Sequence, residues 1–223
     1  MNLETLLRRF RVAARDTVTP GQLFSDEDIT DWLNDAQEQA CIRGRLLRDD
    51  STPEVTRIAL AVGTHTYPLH ETVYELIAVH LVPASGEKPR PLCVKSREWL
   101  DNEIRDWRTT DRQAFAVIQD DTSIRVVGTF VAGDRVDIEC YRLPLEPMAN
   151  DTDEPEIHRA HHVHLIDWAL HRGFSIPDAE SFDASKAEIS EQKFTKYFGP
   201  LPNANLRRST RHDVEHHNYH TLP

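Results

Sequence analysis

Apolar residues recur at helical spacing at Leu3, Leu6, Leu7, Phe10 and Ala14, which predicts an amphipathic helix over residues 3–15. Pro20-Gly21 ends it. Ser25 then offers an N-cap, and Asp26-Glu27-Asp28 place three acids where the helix macrodipole favours negative charge. Ile29, Trp32, Leu33, Ala36, Ala40 and Leu47 follow along one face, with Asp31, Asp35, Glu38 and Arg45 opposite, so a helix is predicted over 26–47. The period then changes to that of strands, predicted over 56–62, 75–82, 91–94, 114–118, 123–127 and 135–143, with a turn at Gly63-Thr64 before His65-Thr66-Tyr67. A short helix from Ser96 to Trp107 interrupts them, and Asp120-Asp121 reads as a hairpin turn. Connections this short suit antiparallel pairing better than parallel crossovers.

Asn150-Asp151-Thr152-Asp153-Glu154 forms a polar linker, and Pro155-Glu156 is expected to open a helix over 156–173. Ile157, Val163, Ile166 and Leu170 make its apolar face, with Leu165, Trp168 and Ala169 alongside. A last helix, 180–198, is expected to bury Phe182, Ala187, Phe194, Tyr197 and Phe198 and to stop at Gly199-Pro200. Neither period survives in residues 200–223, which read as an extended arm. The expected fold is α+β: a bundle of N- and C-terminal helices, a small inserted antiparallel β domain and the arm. Its divisions are 1–52, 53–150, 151–199 and 200–223. The expected bundle core is Trp32, Leu33, Leu165, Trp168, Phe194 and Phe198.

Charge narrows the function classes. The 223 residues carry 37 acids against 26 Lys and Arg, a formal net charge of −11, and mean hydropathy is −0.55. An acidic balance disfavours wrapping around duplex DNA, where affinity comes from cations neutralising phosphates. A DNA-binding regulator with a basic recognition helix is therefore disfavoured. No stretch reaches the ~18 apolar residues of a membrane span, and Met1-Asn2-Leu3-Glu4 lacks the order of a secretory signal. A soluble protein made in a cytoplasm, with no membrane partner, is expected. Cys41, Cys93 and Cys140 form no CxxC pair, which argues against a disulfide framework or a zinc knuckle.

The most tempting chemistry is His158, His161, His162 and His164, with His171 beyond. On a helix the first three fall within one turn, a spacing compatible with metal ligands, and the competing reading is a His-rich metal-dependent hydrolase. No HExxH arrangement accompanies them, so a solvated or interfacial histidine cluster fits better, with no metal or cofactor expected. There is no GxSxG, P-loop or GxGxxG, and no catalytic residue is assigned. Helix capping accounts for Asp26-Glu27-Asp28, and the four tryptophans suit core or interface positions. Arg207, Arg208 and Arg211, followed by His217 and Tyr219, make the one basic cluster, suited either to a solvated tail or to docking on an acidic partner.

Four stretches carry a family resemblance. Leu23-Phe24-Ser25-Asp26-Glu27-Asp28-Ile29-Thr30-Asp31-Trp32-Leu33-Asn34-Asp35-Ala36-Gln37-Glu38 resembles the opening of the phage adaptor family, the head-to-tail connectors of tailed bacteriophages. Gly63-Thr64-His65-Thr66-Tyr67-Pro68-Leu69 is similar to a second family stretch. Pro155-Glu156-Ile157 with His162 and Leu165-Ile166-Asp167-Trp168-Ala169-Leu170 resembles a third. Asp178-Ala179-Glu180 with Phe194 and Phe198-Gly199 resembles a fourth. They occur in the family's order over residues 3–199.

The resemblance implies a non-enzymatic virion protein, assembled in the host cytoplasm, that forms a twelve-subunit ring under the portal protein. Genomic DNA would pass through the ring without sequence-specific binding, and tail proteins (nozzle, tail tube or tail fibre) would meet its lower face. It also implies a C-terminal arm reaching the portal. At ~3.3 Å per residue, the 24 residues 200–223 span roughly 80 Å when extended. An acidic channel repels phosphates, which agrees with the charge. Repulsion between copies leads us to expect an isolated monomer that closes into a ring on its portal template.

Overall fold

The computed structural model describes residues 1–18, 21–177 and 180–202. In chain order the elements begin with α1 (Leu3–Ala14), α2 (Asp26–Gly44), β1 (Arg48–Asp49), α3 (Pro53–Thr56) and β2 (Arg57–Ala59). Next come β3 (Thr66–Pro68), β4 (Val73–Val82), β5 (Arg90–Val94), α4 (Arg97–Glu103) and β6 (Ala116–Gln119). The chain ends with β7 (Ser123–Val127), β8 (Arg135–Arg142), α5 (His162–Phe174) and α6 (Ala184–Phe198). They form two compact units, Met1–Leu47 with Arg142–Leu201, and Arg48–Tyr141.

The helical unit comprises α1, α2, α5 and α6 around one apolar core. Asn2, Ser25 and Asp183 cap α1, α2 and α6 by accepting from backbone amides three residues on. The first amides of α1 find further acceptors outside the helix: Leu3 donates to the Asp153 carbonyl and Glu4 to that of Asp151. Asp16 closes the turn after α1. It is buried, pairs with Arg11 at 2.8 Å and accepts from the Leu23 and Phe24 amides. α2 ends at Gly44, before its last expected turn, because Arg45 takes a left-handed conformation.

The start of α5 departs from expectation by six residues. Residues 155–161 are held by contacts that compete with a helix. The Glu156 amide donates to Gln37 Oε1 at 2.6 Å, while its carboxylate binds Arg142 and accepts from the Leu145 amide. His162, 1% exposed, completes the anchor: its Nδ1 is 2.8 Å from the Met1 amino group and its Nε2 2.9 Å from the Ile157 carbonyl. An ammonium only donates, so Nδ1 accepts and Nε2–H donates to Ile157. Two residues expected to be buried by α6 are exposed instead, Phe182 and Tyr197, and so is Val163 of α5.

The second unit corrects the expected fold class. In place of a helical bundle with a small β insertion, the protein is a mixed α/β structure with six helices among the described residues, 21% strand and a curled, half-barrel sheet. Strand order is β1-β8-β4-β5-β6-β7-β3, with β2 also on β8. The strands carry a sixteen-residue buried cluster of their own, including Leu76, Leu81, Ile124 and Val136, so they are a folding layer and not an appendage. β1 and β2 pair antiparallel with β8, as do β3 with β7, β4 with β5 and β6 with β7, whereas β5 and β6 are parallel. The chain from β5 to β6 contains α4 and is long enough for a parallel crossover, contrary to expectation. Gln119 ties β6 to β4. Its side chain accepts from the Leu76 amide and donates to the Tyr74 carbonyl, serving the part of β4 beyond its β5 register.

The three thiols differ sharply in environment. Cys41 and Cys140 are buried, whereas Cys93 is exposed on β5. Burial, reinforced by Glu156, pushes the Cys41 thiol up to about 12. Because the thiolate is the reactive form, native protein should release one equivalent of thionitrobenzoate with Ellman's reagent, and three after unfolding. More than one rapid equivalent from the native chain would contradict the buried positions.

Candidate functional site

A groove bordered by apolar and basic side chains lies on the helical unit. α1, α5 and α6 border an open groove of about 690 Å³. Ile166, Leu170 and Phe174 are buried along it, while Val163 (42% exposed) and Ile189 (52% exposed) form apolar lips. Its cations are Arg9 and Arg15 from the end of α1 and Lys186 and Lys193 from α6. Lys186 is engaged with Asp183 at 3.3 Å and lies 4.7 Å from the Phe174 ring centroid. Among the described residues neither Arg9, Arg15 nor Lys193 takes part in an ion pair within 4 Å. Among the described residues Asp167 is the one acid lining the groove; burial raises its carboxyl above the usual range, against the pull of Lys193 and His164.

Beside the groove the histidines meet aromatic rings. His164 stacks on Tyr197 with centroids 3.5 Å apart, and His161 Nδ1 lies 3.2 Å from the Tyr197 hydroxyl. His158 and His161 precede α5, so they do not share a helix turn with His162 as expected; His162 turns inward to Met1 and Ile157. His171 binds the Ala187 carbonyl at 3.1 Å. Among the described residues no three His, Cys, Asp or Glu side chains are grouped to hold a metal ion. Burial, then the neighbouring histidines, hold His161 below the ordinary imidazole range, which favours its neutral form near pH 7.

Most of the remaining sequence candidates are parts of the framework. Leu33, Leu165, Phe194 and Phe198 lie inside the helical core, and Trp32 and Trp168 pack on its edge. Trp168 donates its indole N–H to Asp35 at 2.8 Å, and Arg43 lies over the same ring at 4.9 Å. Asp120 closes the β6–β7 turn and pairs with Arg97. Arg207, Arg208, Arg211, His217 and Tyr219 lie outside the described residues. Sequence periodicity does not reveal the groove. The available signal is the pair Val163 and Ile189 together with Lys186 and Lys193, but periodicity places Val163 on the core-facing side.

A family model for the SU10 adaptor protein matches residues 1–215. The chain belongs to the SU10 adaptor protein family. It is thus a phage adaptor protein, a virion component of a structural family whose members interact with portal and tail proteins. No curated protein matches the chain. For an SU10 adaptor family member the relevant sites are surfaces, and the groove with its histidine–tyrosine flank is one such surface of the helical unit. Among the described residues no helix is long and apolar enough to cross a membrane.

Proposed function

We propose that this protein is the ring-forming head-to-tail adaptor of a tailed bacteriophage, seated between the portal and the tail. The observation that carries this reading is the family match, which extends over residues 1–215 and so takes in both compact units. Copies close into a ring, with twelve as the proposed number, on the portal as template. The surplus of acid, −11 per chain, supports a channel that repels DNA phosphates and lets the genome slide. Tail proteins take the face away from the portal.

In this reading residues 200–223 are the portal-docking arm. Apolar periodicity ends at Phe198-Gly199, so the sequence beyond offers no apolar face for the helical core and is suited to a partner instead. Arg207, Arg208 and Arg211 offer bidentate contacts to carboxylates, and Tyr219 is an anchor of the kind found at interface hot spots. A chain truncated after Gly199 is expected to stay folded and soluble, by circular dichroism and gel filtration, yet to be absent from DNA-filled heads. Truncated protein that joins heads and leaves their DNA retained would overturn the arm assignment.

A further inference from the structure

Resting on the ring reading above, we infer that the groove between α1, α5 and α6 receives the acidic start of α2 from a neighbouring copy of the same chain. The groove combines apolar lips, Val163 and Ile189, with cations from Arg9, Arg15 and Lys193, in a protein of net charge −11. Such a surface selects an acidic segment that also brings an apolar side chain. The chain holds one on the same unit. Leu23 is 47% exposed, and Glu27 and Asp31 follow it one helical turn apart, both exposed. Among the described residues neither acid is in an ion pair within 4 Å, whereas the adjacent Asp26 is occupied by Arg11.

A chain does not fill its own groove with this segment. None of residues 23–31 lines the groove among the described residues; Phe24 meets only its Phe174 end, with ring centroids 5.8 Å apart. The Asp16 bonds to the Leu23 and Phe24 amides keep the segment there. Two different patches that complement each other across copies make a head-to-tail contact, the type that generates a closed ring when its rotation closes. The basic cluster Arg207-Arg208-Arg211 is an unsuitable occupant, since it carries the sign of the groove.

The test is charge exchange in the full chain, read by sedimentation equilibrium at about 1 mM, where a contact too weak to join isolated copies at micromolar concentration is still half-formed. Unaltered protein should associate, and added salt should weaken the association. Arg9→Glu with Lys193→Glu, or Glu27→Lys with Asp31→Lys, should each lower the association constant by about tenfold or more. All four substitutions together reverse both patches and should restore it, an outcome that misfolding does not produce. An unaltered chain that stays monomeric, reversals that change nothing, or a fourfold variant that fails to recover despite native circular dichroism would each overturn the pairing. Particles separate this from the wider reading. Rings at the portal formed equally well by the two-site variants would overturn the pairing and leave the adaptor ring standing. Particles of the unaltered chain without any ring would remove both.

Discussion

Phe194→Ala is expected to lower the unfolding free energy by about 3–5 kcal/mol, the range for a fully buried phenylalanine. Phe194 has no exposed surface. Its ring lies 5.0 Å from that of Trp168 and 4.7 Å from that of Phe198, with the Arg43 guanidinium 5.2 Å from its centroid. Truncation leaves a cavity whose walls belong to α2, α5 and α6. Those walls resist collapse because Trp168 is tied to Asp35 at 2.8 Å and Arg43 to Thr195 at 2.8 Å. Trp32→Ala and Trp168→Ala should cost less than this, since both rings sit on the core's edge and already touch solvent. Urea denaturation followed by circular dichroism reads the difference. A loss under about 1 kcal/mol for Phe194→Ala would mean that the helical core is not organised around this ring.

Gly128→Ala is expected to cost about 3 kcal/mol, through two effects that a control separates. The residue has φ +108°, a region that carries roughly 1–2 kcal/mol for an L side chain. A β-carbon there would also lie 2.7 Å from Ala114 Cα and 2.8 Å from the Arg112 carbonyl oxygen. Both neighbours are backbone, held by the Ala114 amide donating to Thr129 at 2.9 Å and the Thr129 amide donating to Arg112 at 2.7 Å. Relieving the overlap means moving that ladder, with an overpacking cost of about 1–3 kcal/mol. Gly63, in the same unit, has φ +83° and nothing within 4 Å of an added β-carbon. Gly63→Ala should therefore show the backbone cost alone. Equal losses at the two positions, measured by denaturant midpoint, would show that the close approach at Gly128 is not there.

The sequence by itself determined the elements whose signals are local. α1 and α2 start where expected because a capping side chain three residues ahead of its amide is a short-range event, and α6 ends at Phe198 because Gly199 follows. The long alternating strand β8 was legible for the same reason: period two needs no partner to be seen. Family membership was also legible, through the four stretches in order, and the match over residues 1–215 agrees.

Tertiary contacts decided the rest. Pro155-Glu156 carries a valid helix-start signal, yet α5 begins at His162, because Glu156 is worth more to Gln37, Arg142 and Leu145 than to one added turn. The histidines expected to share one helix turn separate for the same reason, His162 being drawn inward and His158 left before the helix. Sheet size and curl depend on which strands meet, and the parallel β5–β6 pair joins residues separated by α4, a choice no local period encodes. The groove, too, exists only where α1, α5 and α6 converge. Val163 and Ile189 follow ordinary helical spacing, and only packing against the other helices decided that they face outward beside Arg9 and Lys193. Local chemistry is written in neighbouring residues; a surface made by three helices is written in none of them singly.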